Sequence, residues 1–74
     1  MKQRKYLIEL GKNIREERKK KGLSQEQLAF DANVDRSYIG GIEGGERNVS
    51  FLTLIKIASS LGCEVSKLTK GILK

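Results

Sequence analysis

The chain has 74 residues, which gives room for one domain, residues 1–74, around one small core. It contains no His, no Pro and no Trp, and its single cysteine excludes both an internal disulfide and a zinc-finger ligand set. Its net charge is +6, and no apolar run approaches the roughly 20 residues that a membrane span requires. We therefore expect a small cytoplasmic protein with no catalytic site, metal or cofactor, and with no contact to a membrane.

Apolar residues at helical spacing predict a first helix over about Lys5 to Lys20. Leu7, Leu10 and Ile14 fall on one face of this helix. Gly22 follows the last turn and is a natural C-terminal stop.

The segment from Gln25 to Gly44 has the pattern of a helix-turn-helix. Ser24 caps its first helix, which ends near Ala32, and Gln27 three residues later completes a capping box. Asn33 stands at the turn, where few residues other than Gly tolerate a positive φ. The apolar contacts between the two helices are predicted to come from Leu28, Ala29, Ala32, Val34, Ile39 and Ile42.

Asp35 caps the second helix of this unit, which runs to about Glu43. A helix in the major groove reads bases with side chains near its N-terminus, so Arg36 and Ser37 are the candidate base readers. The donors of an Arg match guanine O6 and N7, whereas a hydroxyl donates or accepts and is a weaker reader.

Four other side chains are candidate contacts to a DNA backbone. Gln25 lies in the first turn of its helix, where it reaches a phosphate or orients a neighbour in the reading helix. Tyr38 can stack, pack on a sugar or bond a phosphate, and Arg47 and Asn48 lie in the loop after the reading helix. The alternative for each is an ordinary exposed polar residue.

Ser50 caps a fourth helix over about Phe51 to Leu61, and Gly62 ends it. A fifth short helix covers roughly Val65 to Lys70, with Ser66 as an alternative start.

The fourth helix has a wider apolar face than one small core requires. At about 100° per residue, six apolar residues cover an arc of about 160°, and Leu52 lies outside it. This surplus favours a homodimer, with a predicted contact formed by Phe51, Leu52, Ile55, Val65 and Leu68. The alternative is that these residues face a single core that the fifth helix completes.

The positive charge lies at the two ends of the sequence. Residues 1–22 have a net charge of +6, residues 23–49 of −3 and residues 50–74 of +3. Attraction to phosphates must therefore come from the flanks and from Arg36 and Arg47.

The chain resembles the Cro/C1-type helix-turn-helix family of phage and bacterial regulators. The residues that carry the resemblance are GLSQEQLA at 22–29, IEGG at 42–45 and Ala58 to Leu61. The resemblance implies an all-α, five-helix, lambda-repressor-like domain in which the second and third helices form the helix-turn-helix. It also implies binding to double-stranded DNA at palindromic operator half-sites.

A narrower likeness concerns DRSYI at 35–39, Glu43, and RNVS at 47–50, which are similar to the controller proteins of restriction–modification systems. That likeness implies a homodimer that activates and then represses its own operon, with RNA polymerase as a further partner. It assigns base reading to Arg36 and Ser37 and backbone contacts to Gln25, Tyr38, Arg47 and Asn48. It also implies a structural ion pair between Arg18 and Glu43. The alternatives are a phage-type or other repressor of the same family, or an antitoxin-like protein-interaction module.

Overall fold

The computed structural model describes residues 2–73, with side chains from Arg4 onward. Over that range the chain forms five helices and no strand, so the all-α prediction is confirmed. The helices are α1 Lys2–Lys20, α2 Gln25–Ala32, α3 Arg36–Glu43, α4 Phe51–Leu61 and α5 Val65–Thr69. Two limits differ from prediction, because α1 begins before Lys5 and Lys70 is already extended. None of the described helices is long and apolar enough to cross a membrane.

The helix ends form at the predicted capping residues. The Ser24 hydroxyl accepts from the Gln27 N–H at 3.0 Å, and the Gln27 side chain accepts from the Ser24 N–H at 2.9 Å. The Ser50 hydroxyl accepts from the Thr53 N–H at 3.1 Å and so starts α4. Asn33 has a φ of 58°, which ends α2 and turns the chain toward α3.

The core lies at the centre of the five helices, and each helix contributes at least one buried apolar side chain. α1 packs against α3 and α5, and α2 packs against α3 and α4. Most of the contacts predicted within the helix-turn-helix are buried, whereas Val34 is half-buried. The most deeply buried large side chains are Ile14, Leu28, Ile39, Ile42, Ile57, Leu61 and Leu68.

A glycine sets the distance between α1 and α3. A Cβ atom on Gly11 would lie 2.7 Å from the carbonyl oxygen of Glu43, which is closer than real side chains come to a backbone oxygen. The absence of a side chain at Gly11 therefore lets α1 cross directly over the end of α3. This close crossing brings Arg18 of α1 within reach of the Glu43 side chain.

The end of α5 is attached to α1. The Asn13 side chain donates to the carbonyl oxygens of Leu68, at 2.8 Å, and Lys70, at 3.1 Å. Leu68 itself is 0% exposed, because it fills the core beneath α5. Its predicted place in a dimer contact is therefore wrong, since it has no surface to offer a second chain.

Candidate nucleic-acid interface

α3 is buried along one face and exposed at its N-terminus. Ile39 and Ile42 pack into the core, whereas Arg36 and Ser37 are exposed. No side-chain hydrogen bond or ion pair among residues 4–73 involves Arg36. Its guanidinium donors therefore face solvent and are available to a ligand.

The residue that caps the N-terminus of α3 is a carboxylate that accepts two hydrogen bonds from one neighbour. Asp35 Oδ2 accepts from the Ser37 N–H at 3.1 Å and also from the Ser37 hydroxyl. The hydroxyl bond, followed by the backbone N–H bond, holds the pKa of Asp35 below its usual value. Asp35 is therefore ionised at neutral pH beside Arg36.

The loop after α3 folds back onto α3 itself. The Tyr38 hydroxyl donates to the Asn48 carbonyl at 3.2 Å, and the Arg47 guanidinium carbon lies 5.8 Å from the centre of the Tyr38 ring. The N–H groups of Glu46 and Arg47 both donate to the Gly41 carbonyl, at 2.9 and 3.1 Å. These contacts bring the cationic side chain of Arg47 next to the N-terminal half of α3.

Gly41 makes room for the Arg47 side chain. A Cβ atom at Gly41 would lie 2.5 Å from Arg47 Cγ, so the aliphatic part of Arg47 occupies the space that a larger residue would fill. The group that approaches Gly41 is thus a side chain of the same protein.

A buried network of hydrogen bonds connects α1, α2 and α3 behind the reading surface, which is the exposed first turn of α3 with Arg36 and Ser37. Arg18 donates through Nε to Glu43 Oε2 at 2.7 Å and through Nη2 to Glu43 Oε1 at 3.0 Å. The same carboxylate accepts from Gln25 Nε2 at 3.1 Å, and Arg18 Nη1 donates to the Leu23 carbonyl at 2.7 Å. The hydrogen bonds to Glu43 raise the pKa of Arg18. In this arrangement the Gln25 amide group points toward α3 and is half-buried.

Sequence reasoning gave a neighbour in α3 as one alternative for Gln25 but did not identify Glu43 as that neighbour. It also did not predict the bonds of Ser37 to Asp35 and of Tyr38 to Asn48. No sequence signal pairs Gln25 with Glu43, because their contact depends on how two helices cross. The Asp35 and Ser37 pair is different, since an Asp at an N-cap two residues before a Ser is a local pattern that predicts such a bond.

The interface offers donors and cations to an anionic ligand. Arg36 and Arg47 supply positive charge, and Tyr38 and Asn48 add polar groups beside them. Among the described residues, no group of three or more His, Cys, Asp or Glu side chains is placed to hold a metal ion. Two crossed helices with an arginine at the exposed end of the second define a helix-turn-helix DNA-binding regulator.

Comparison with known proteins gives the family. The helix-turn-helix family model matches residues 14–68, and the chain belongs to the Cro/C1-type helix-turn-helix family. It is similar to the control protein C.MunI of Mycoplasma sp., with 43% identity over 68 residues that cover 90% of this chain and 92% of the relative. It is also similar to the control protein C.SmaI of Serratia marcescens, with 48% identity over 59 residues that cover 80% of this chain and 70% of the relative.

A solved structure agrees with this assignment. The crystal structure of the restriction–modification controller protein C.AhdI from Aeromonas hydrophila superposes with a TM-score of 0.83 at 50% identity. The match covers 84% of this chain and 94% of that chain. The protein described here is thus a DNA-binding transcriptional regulator.

Proposed function

We propose that this protein is the controller of a restriction–modification operon, binds palindromic operator half-sites as a homodimer in the cytoplasm, and activates and then represses its own operon. The observation that carries the proposal is the exposed Arg36 at the start of α3, with its guanidinium free toward solvent. The identity to control proteins over most of both chains supports the controller role within the family.

The residues of the interface divide into two roles. Arg36 and Ser37 read base edges, because they occupy the first turn of α3. Tyr38, Arg47 and Asn48 bind the sugar–phosphate backbone, and their contacts with one another support this role by ordering the loop beside α3. Gln25 binds a phosphate through the part of its amide that Glu43 does not engage.

A second copy of the chain is the partner best supported for α4. Phe51, Leu52 and Ile55 are 69%, 64% and 42% exposed, and they form an apolar strip along the outside of this helix. Val65 of α5 is half-buried and therefore keeps some apolar surface that a second chain can cover. In a symmetric dimer the two α3 helices are expected to lie roughly 34 Å apart, which is one turn of DNA.

Activation implies RNA polymerase as a further partner. The outer face of α2 has Phe30, which is 86% exposed, next to the acidic Asp31. Exposed aromatic residues are enriched in protein–protein contacts, whereas an apolar ring beside a negative charge offers nothing to DNA phosphates. A reporter fused to the protein's own promoter tests activation, because transcription should first rise and then fall as the protein concentration increases.

Selection of bound fragments from random DNA tests the proposed function. We expect a palindromic site with half-sites about 10 base pairs apart. Binding to random duplex should be much weaker and should fall steeply with added salt. Capture of no DNA at low salt would identify a protein-interaction module of the same fold and would contradict the proposal. A selected site that lies upstream of genes other than an endonuclease gene would favour a phage-type repressor.

A further inference from the structure

The hydroxyl of Ser37 already has a partner before any DNA is bound. Asp35 Oδ2 accepts from this hydroxyl and from the backbone N–H of the same residue, so the Ser37 side chain is held over the N-terminus of α3. A hydroxyl has one O–H donor and two acceptor lone pairs. What Ser37 offers to a base therefore depends on the direction of its bond with Asp35.

The charge of Asp35 decides that direction. The hydrogen bonds from Ser37 keep the pKa of this carboxyl low, and the nearby Arg47 lowers it further. At neutral pH the carboxylate carries no proton and can only accept, so Ser37 must be the donor. The single donor of Ser37 is thus engaged, and only its lone pairs remain.

We propose that Ser37 reads the operator as a hydrogen-bond acceptor only, so that each half-site places an exocyclic amino group, cytosine N4 or adenine N6, against Ser37 Oγ. This inference rests on the proposed function and specifies what its second base reader selects. Those two amino groups are the hydrogen-bond donors of the bases in the major groove, whereas guanine and thymine offer acceptors at the equivalent position.

Asp35 also disfavours the wrong bases. Its negative charge lies next to Ser37 Oγ and repels the keto oxygens, guanine O6 and thymine O4. Arg36 offers only donors, which suit a guanine. The first turn of α3 therefore reads a guanine and an amino-bearing base with two adjacent side chains of opposite hydrogen-bonding character.

The test uses the full chain and its selected operator with base analogues. The position read by Ser37 is the one at which Ser37→Ala removes the base preference. We expect cytosine or adenine there, and replacing its amino group by hydrogen, with 2-pyrimidinone or purine, should weaken wild-type binding about tenfold. The same analogue should have no further effect on Ser37→Ala. This absence of additivity would place the amino group against Ser37 Oγ.

A second variant tests the role of Asp35 while keeping the helix cap. Asn is as good an N-cap as Asp, so Asp35→Asn should fold, as thermal unfolding by circular dichroism will check. The neutral amide can either donate to or accept from the Ser37 hydroxyl, which is then free to turn. Guanine or thymine at the read position should therefore be discriminated several-fold less by Asp35→Asn than by the wild type.

Three results would overturn the inference while leaving the proposed function intact. One is a guanine or thymine at the position that Ser37→Ala affects. Another is an operator in which Ser37→Ala alters no base preference. The third is an Asp35→Asn variant that rejects keto bases as strongly as the wild type. A failure to select any DNA would instead remove the proposed function, and the inference with it.

Discussion

Arg18 and Glu43 form a two-point ion pair between α1 and α3, with N–O distances of 2.7 and 3.0 Å. Their side chains are only 10% and 3% exposed, so the pair lies behind the reading surface and out of reach of DNA. Because Glu43 also accepts from Gln25, one carboxylate joins the three helices that build the helix-turn-helix and its support.

This pair predicts a large loss of stability when one partner is removed. Glu43→Ala leaves the Arg18 guanidinium buried without its counter-charge, which should lower the free energy of unfolding by about 3–5 kcal/mol. The combined change Arg18→Met with Glu43→Leu removes both charges and should cost much less. Urea unfolding of the three proteins measures the difference. Equal losses in the single and the combined variants would show that packing, and not the uncompensated charge, is responsible.

The surroundings of the adjacent residues Gly40 and Gly41 predict different effects on stability when each is replaced by alanine. Gly40→Ala should stabilise the protein by up to about 1 kcal/mol, because its Cβ meets only Gln25 Oε1 at 3.6 Å and Ala favours a helix. Gly41→Ala should not stabilise the protein, because the new Cβ would lie 2.5 Å from Arg47 Cγ and must displace that side chain. Thermal unfolding compares the two, and a similar gain in both would contradict the close packing at Gly41.

Arg36→Ala should lower specific operator binding and leave the fold intact. The loss of donors to a base edge should weaken the selected site by about 1–3 kcal/mol, while binding to random duplex changes much less. Lys70→Ala is the matched control, because it removes the same charge from the end of α5, which packs on α1 and α4 and away from α3. Gel-shift titrations measure the operator affinity of both variants. An equal loss of affinity in the two would show that Arg36 does not read a base.

Substitution on the outside of α4 should break the homodimer. Leu52→Glu places a charge in the apolar strip of Phe51, Leu52 and Ile55, and we expect it to raise the dimer dissociation constant more than tenfold. Phe30→Glu makes a comparable change on α2, outside the strip, and should leave the dimer unchanged. Sedimentation equilibrium at micromolar concentration measures both, and a monomeric wild type would contradict the proposed contact.

The Asp35 cap predicts a pH-dependent contribution to stability. The pKa of Asp35 is lowered in the folded protein, so its contribution is complete above the unfolded value and is lost as the pH falls through the folded one. The advantage of the wild type over Asp35→Asn should therefore be constant near neutral pH and shrink below about pH 3.8, the ordinary value. Unfolding midpoints of the two proteins from pH 7 to pH 3 measure it. A constant difference throughout would mean that the Asp35 charge does not contribute.

The limits of the helices were largely predictable because their causes are local. Ser24, Asp35 and Ser50 bond N–H groups two or three residues away, and Asn33 tolerates the left-handed backbone that ends α2. The exposure of Arg36 followed in the same way from its position in the first turn of α3. These features depend on a few consecutive residues, so a single sequence is sufficient to predict them.

Other features depend on which surfaces meet when the helices pack. The apolar spacing could not distinguish Leu68, which the core encloses, from Leu52, which remains 64% exposed, because both are large apolar residues on short helices. Likewise, the amide of Gln25 bonds to Glu43 only because α2 and α3 pack against each other at this point. The sequence alone thus determined the helices and the residues at their ends. Tertiary packing decided which side chains are enclosed or already bonded, since contacts between distant segments depend on the relative placement of whole helices.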